Sequence, residues 1–313
     1  MRSDFAVFIL THGRPDNVLT HNAIRHHGYT GPIFLVIDDE DKKADGYRER
    51  YGDEVLMFSK EAIARDPRYD QADNLKDRRV IFFARNACWD LARDVGVRYF
   101  VELDDDYFAF QYRRPGRKPG AEAVGYHGWQ VRNLDAIFEA FIRFLESTSA
   151  ATIAMAQGGD HFGGQNSNTS ARLLRKAMNS FVLDTERPFP FLGRVNEDVN
   201  SYTLLGSRGH LFFTYRPLQL EQLATQMNPG GMSDMYLTSG TYVKSFYTVI
   251  HHPSSACIRL MGRTSRRLHH SINWRNTVPR ILHERHRKPR EPEPPRLQDE
   301  PSRPKRRKTK PPP

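Results

Sequence analysis

Short apolar runs recur through the first hundred positions, and turn-forming or acidic residues close most of them. Phe5 to Leu10 ("FAVFIL") is apolar without a break, the pattern of a strand buried on both faces. Gly13 turns the chain, and Pro15 and Asp16 suit the first turn of a helix predicted to run to about His27 and stop at Gly28. Ile33 to Ile37 repeats the strand pattern and ends in Asp38, Asp39, Glu40 and Asp41. "EVLMFS" predicts a third strand, and "RDPRYDQADNLKDRR" an exposed loop. "RRVIFFARNACWDLARDVG" has apolar positions at helical spacing and stops at Gly96. "RYFVEL" is the fourth strand, and Asp104, Asp105 and Asp106 follow it directly.

The second half is less regular. "YHGWQVRNLDAIFEAFIRFLESTS" predicts an amphipathic helix ending near Ser147, and "ATIAMAQ" a strand followed by the glycine-rich loop "GGDHFGGQNSN". "SFVLDTE" and "HLFFTYR" read as further strands, with a glycine turn, two acids and a helix between them in "FLGRVNEDVNSYTLLGSRG". "RLHHSINWRNTVPRIL" closes the body. Strands alternating with helices imply an α/β fold, with a mostly parallel central sheet flanked by helices and a less regular C-terminal half. In such sheets ligands bind beyond the carboxyl ends of the strands. Both acidic clusters, at 38–41 and 104–106, are expected on that one rim.

Composition changes this picture mainly at the end. From about residue 284 the chain holds eleven Lys and Arg, five Asp and Glu, and nine of its 20 prolines. Such a segment cannot bury enough surface to offset its ordering entropy, so residues 1–283 are expected to fold and 284–313 to form a disordered basic tail. The formal net charge is +10. A cationic tail suits a polyanion such as nucleic acid, or serves only solubility. "PKRRKTK" also has the look of a nuclear-import signal. The two cysteines, Cys88 and Cys257, form neither a disulfide framework nor a zinc set, which fits a reducing compartment. No apolar run reaches membrane-spanning length and no leader is visible, so the expected location is cytoplasmic, without a membrane.

Three adjacent aspartates repel one another unless a positive charge sits among them. Either they form a solvated turn, or Asp104 and Asp106 converge on Mn²⁺ or Mg²⁺, which bridge carboxylates to phosphate oxygens. A transferase also needs a base for the attacking hydroxyl. Asp198 is the first choice and Glu197 the second; acidic residues at a helix start are the competing explanation. His269 and His270 are candidate further metal ligands, or surface histidines. Asp38 and Asp39 could accept hydrogen bonds from a ribose or base, and Arg14 could meet a diphosphate. Gly158, Gly159, Gly163 and Gly164 match no phosphate-binding fingerprint and read as a flexible turn. Trp89, Trp129 and Trp274 read as core residues, the last two with a possible stacking role. A metal-dependent nucleotidyltransferase is a rival reading, but the Gly-Ser signature it usually carries before the acids is missing.

"FAVFILTHGRPDN", "FLVIDDED", "ARNACWDLA", "YFVELDDDY", "AQGGD", "GRVNEDVN", "SGTYVKSFY" and "RLHHSINWRNTVP", in this order, resemble the TET-associated glycosyltransferases of bacteriophages. The resemblance spans roughly residues 4 to 283. It implies a GT-A-like fold and sugar transfer from a nucleotide-sugar donor, with a UDP-sugar the expected one. The implied acceptor is 5-hydroxymethylcytosine in DNA, whose hydroxyl a TET-type oxygenase installs. It places the metal motif on Asp104, Asp105 and Asp106, with Asp105 on the donor side, and the acidic motif on Glu197 and Asp198. The setting would then be the cytoplasm of an infected bacterium. A glycosyltransferase with a non-DNA acceptor, or a DNA-binding protein with an inactive transferase fold, is the alternative.

Overall fold

A computed structural model describes residues 1–69, 77–117, 124–161, 176–223, 240, 242–261 and 266–277. The tail expected at 284–313 and the glycines Gly163 and Gly164 lie outside the described residues. The eleven described strands are β1 (Phe5–Leu10), β2 (Ile33–Asp38), β3 (Val55–Phe58), β4 (Tyr99–Asp104), β5 (Tyr107–Arg117), β6 (Val124–Gln130), β7 (Ala150–Ala156), β8 (Ser180–Asp184), β9 (Leu211–Gln222), β10 (Ala256–Met261) and β11 (Arg267–Ile272). The helices are α1 (Leu19–His26), α2 (Ala44–Tyr51), α3 (Lys60–Arg65), α4 (Phe82–Asp94), α5 (Leu134–Ser147), α6 (Glu197–Ser207), α7 (Val243–His251) and the short α8 (Trp274–Thr277).

Nine strands form one sheet in the order β3-β2-β1-β4-β8-β7-β9-β5-β6, and β10 and β11 form a separate antiparallel pair. The first four neighbours, β3, β2, β1 and β4, are parallel. β8 runs antiparallel to β4, β7 is parallel to β9, and β5–β6 is an antiparallel hairpin on the far edge. The alternation of the N-terminal half thus locates the parallel part of the sheet, and the C-terminal half makes the sheet mixed.

The continuous apolar runs have a direct cause. Side chains alternate across a strand. Ala6, Phe8 and Leu10 enter one core with α4, while Phe5, Val7 and Ile9 enter the other with α1 and α5. Every position of β1 is therefore buried. β4 obeys the same rule: Phe100 faces the α4 side and Tyr99, Val101 and Leu103 face the other. Glu102 and Asp104 follow Phe100 onto the α4 side, which decides their chemistry below.

Several local expectations need correcting. "YHGWQ" pairs as strand β6, not as the start of a helix; α5 begins at Leu134, with the Asn133 side chain accepting from the Ala136 amide at 3.0 Å. α1 begins at Leu19 rather than near Pro15. "RLHHSI", to which periodicity assigns no element, is a strand paired with "ACIRLM". Trp129 is 53% exposed and is no core residue, whereas Trp89 is buried between Phe100 and Phe189. Trp274 stacks on Tyr202, ring centres 5.7 Å apart. Gly158 and Gly159 lie in a short 3-10 turn. The start of the expected exposed loop is built into the fold: Arg65 ends α3, and Tyr69 is buried with its hydroxyl on the carbonyl of Asn86.

Candidate active site

The site grows from the ends of β1, β2 and β4. Leu10 lies beside Val36 of β2 and beside Asp104 of β4, so both acidic clusters end at one rim. The turn "THGR" that leaves β1 serves both: its outer residues hold Asp105 and its inner two hold Asp38 and Asp41. Thr11 Oγ1 donates to Asp105 Oδ2 at 2.6 Å, His12 Nδ1 lies 2.7 Å from Asp38 Oδ2, the Gly13 amide donates to Asp41 at 2.6 Å, and Arg14 Nε donates to Asp105 at 2.7 Å. Gly13 makes this turn at φ 77°, a conformation that suits glycine. α1 pins the aspartate turn from the side: Thr20 Oγ1 donates to the Asp104 carbonyl at 2.6 Å and accepts from the Tyr107 amide at 2.9 Å.

The three aspartates have separate environments. Asp105 is buried and committed to Thr11 and Arg14; burial still holds its carboxyl above the usual range. Asp104 is half-buried and accepts from Arg85 Nη2 at 2.9 Å. Asp106 is driven up to about 7, first by burial and then by Asp104 and Asp105. A carboxyl displaced this far marks a place with too much negative charge.

Arg85 is the organising cation. It sits on the buried stripe of α4 among Phe82, Phe83 and Trp89. Its guanidinium reaches Glu197 at 2.8 Å, Asp104 at 2.9 Å and Glu102 at 3.4 Å, and lies over the rings of Phe181 and Phe191. It therefore ties the aspartate cluster at the end of β4 to the acidic pair on α6. Glu197 and Asp198 are both buried in the first turn of α6, where a negative charge suits the helix dipole. Burial, then Glu197, pushes Asp198 up to about 7 against the pull of Arg85. Burial pushes Glu102 up to about 8.

The start of α6 is set by Asn196, which takes φ 63° and donates from Nδ2 to Thr248 Oγ1 at 2.7 Å. The same amide lies 3.3 Å from His270 Nδ1. His270 thus stands at the base of α6, and burial lowers its pKa to about 3, so its ring is neutral. His269 turns Nδ1 to the His270 carbonyl at 2.7 Å. Among the described residues, no group of three or more His, Cys, Asp or Glu gathers as a preformed metal cage.

Asp38 is buried and engaged by His12 and by Lys60 Nζ at 3.0 Å. Burial raises its pKa, but these partners hold it below the usual range. Asp39 is exposed, with one oxygen on the Lys60 amide. Of these two acids, Asp39 is therefore the one open to solvent. Sequence reasoning named no role for Arg85, Glu102, Thr11, His12 or Lys60. Arg85 and Glu102 had a visible signal, a charge where helix or strand periodicity demands an apolar side chain. Thr11, His12 and Lys60 had none.

No helix among the described residues is long and apolar enough to cross a membrane. No curated protein sequence matches the chain. Among solved structures, the chain is similar to a mannosyltransferase from Pyrobaculum calidifontis in complex with GDP-Man and Mn²⁺, at 12% identity and TM-score 0.45, covering 80% of this chain and 63% of that one. It is similar to S. aureus TarS in complex with UDP-GlcNAc, at 12% identity and TM-score 0.43, covering 79% and 66%. A mycobacterial protein matches at 12% identity and TM-score 0.41, covering 86% and 83%. The chain thus spans somewhat under two thirds of the first two. The sequence pattern of the TET-associated glycosyltransferases matches residues 5–231, the stretch holding both acidic motifs, and this chain belongs to that family.

Proposed function

We propose that this glycosyltransferase moves a sugar from a nucleotide-sugar donor, a UDP-sugar in the simplest case, to the hydroxyl of 5-hydroxymethylcytosine in DNA. A TET-type oxygenase would act before it, and in a phage setting the place of action is the host cytoplasm. The observation that carries the reading is the surplus of acid at the rim. Among the described residues, Glu102, Asp104, Asp105, Asp106, Glu197 and Asp198 have Arg14 and Arg85 as their direct ion-pair partners. The displaced carboxyl of Asp106 fits a divalent cation held with Asp104, the rest of the ion's shell being left to water and donor phosphates. When bound, Mn²⁺ or Mg²⁺ would supply Lewis-acid stabilisation of the departing nucleoside diphosphate.

The chain's own groups do the remainder. Asp105 keeps Arg14 at the rim, near the donor phosphates. Asp39 is open to a ribose or base, and Asp38 holds the turn below it through His12 and Lys60. Arg85 holds Glu197 in place through its Nε contact at 2.8 Å. Asp198, poised near neutral, accepts the proton of the attacking hydroxyl if the reaction inverts; a base works best with a pKa close to the working pH. The acceptor base must be flipped out or single-stranded to reach this rim.

The test is incubation with hydroxymethylcytosine DNA, Mn²⁺ and a panel of nucleotide sugars, followed by nucleoside mass spectrometry. A gain of one sugar mass is expected, lost on Asp104→Asn and reduced at least a hundredfold in Asp198→Asn. No gain with any donor, or a gain only on free sugars, overturns the DNA acceptor.

A further inference from the structure

Charge is divided unevenly along the folded part of the chain. Residues 1–234 hold 29 Lys and Arg against 32 Asp and Glu, while residues 235–283 hold seven Lys and Arg and no acid at all. The acid-free segment contains α7, β10, β11 and α8. It is also where exposed apolar side chains concentrate among the described residues: Tyr242, Phe246, Ile250, Leu260 and Leu268. Tyr242, Phe246 and Ile250 recur at intervals of four and share one face of α7, with Ile250 73% exposed. Tyr242 and Phe246 meet edge to face, ring centres 6.2 Å apart. Leu260 and Leu268 are direct cross-strand partners. Arg259, Arg266 and Arg275 are exposed in the same segment.

The buried face of α7 joins this surface to the catalytic helix. Thr248 receives the Asn196 amide, and Ser245 and Thr248 are buried. His270 of β11 lies beside the same amide. The exposed rings of α7 are therefore about one helix diameter, roughly 10 Å, from the start of α6. Exposed aromatic rings on a segment that carries seven cations and no acid of its own are the chemistry that binds a nucleic acid strand. An apolar protein partner would leave the cations unexplained.

We propose that the acid-free segment is the surface that holds the acceptor strand, with Tyr242 and Phe246 stacking on bases and Arg259, Arg266 and Arg275 meeting phosphates. Its link to transfer rests on the DNA acceptor proposed above; strand binding itself does not. The apolar face and the cations together hold the strand while one base enters the rim beside Asp198.

The experiment measures binding of the full chain to an unmodified single-stranded oligonucleotide by fluorescence anisotropy over a salt series, without donor. In Arg259→Ser/Arg266→Ser/Arg275→Ser, the slope of log affinity against log salt should fall by about two. In Tyr242→Ser/Phe246→Ser, affinity should fall about tenfold or more with the slope kept, and Phe246→Tyr, which retains a ring, should bind like the parent. Arg48→Ser/Arg65→Ser/Arg143→Ser removes equal charge from exposed helix sites elsewhere and should keep the parental slope. Parental binding by both surface variants, or an equal loss of slope in the control, overturns the proposal. So does binding to anionic vesicles with none to DNA. Failure of sugar transfer with strand binding still mapped to this segment leaves the surface standing and removes only the acceptor chemistry.

Discussion

Arg85 is buried, and desolvation of its charge is offset by three carboxylates and two aromatic faces. Removing the guanidinium from such a buried cluster is costly because its acidic neighbours lose the partner that offsets their burial. Arg85→Met should lower stability by about 3–5 kcal/mol in urea melts. Glu102 is of the opposite kind. Its carboxyl is ordinary near 4.5 when unfolded and is pushed up to about 8 by burial when folded. Between those values the folded state holds a proton that the unfolded state has lost, so stability falls as pH rises through that window. Glu102→Gln should flatten the decline of Tm between pH 5 and 8, and an unaltered decline would assign the proton elsewhere. Asp198 yields a kinetic prediction. As the proposed base, with a pKa of about 7, it would be protonated below that pH, so log kcat/KM should fall by about one per pH unit in acid. In Asp198→Asn this limb should vanish from the residual rate. Arg85 and Glu102 were legible as charges out of period; their partners were not, because sequence separation says nothing of the distance across a sheet.

At the scale of elements, the join between the glycine turn and α6 governs the acidic motif. Gly193 takes φ 78°, and a Cβ there would meet Asn200 Nδ2 at 2.4 Å and His251 Nε2 at 2.5 Å. Gly193→Ala should therefore cost about 1–3 kcal/mol and lower transfer as well, since the start of α6 must shift. Loss of stability with unchanged turnover would show that Glu197 and Asp198 tolerate that shift. Periodicity located β1, β2, β3, β4 and α4 because each is a local pattern with a single reading. It misassigned "YHGWQ" because a strand on the sheet edge has one open face, and its few apolar residues also fit a helix. "RLHHSI" shows no clear period for a related reason. Its ladder partner "ACIRLM" is the second half of a two-stranded sheet whose exposed Leu260 and Leu268 lack the usual apolar–polar alternation.

For the whole molecule, the decisive property is the separation of charge, with acid gathered at the ends of β4 and α6 and an acid-free, basic stretch in residues 235–283 that contains α7, β10 and β11. Asp106 and Asp198 both hold protons into the neutral range, as Glu102 does. All three make the fold less stable toward alkaline pH. Mn²⁺ should raise Tm more at pH 8 than at pH 5.5, because the site then carries more uncompensated charge and a ligand stabilises the state it binds. Equal shifts at both values would argue against an ion held by these carboxylates. The sequence by itself determined the α/β class, the placing of both acidic clusters beyond strand ends and the ordered motifs of the family, since those depend on neighbours within a few residues. Only the tertiary structure decided that Arg85 binds β4 to α6, that Asp38 is consumed by His12 and Lys60, and that His270 stands beside Asn196. Those contacts join residues up to 112 positions apart, and the burial that gives them their strength exists only once the sheet and helices have closed around them.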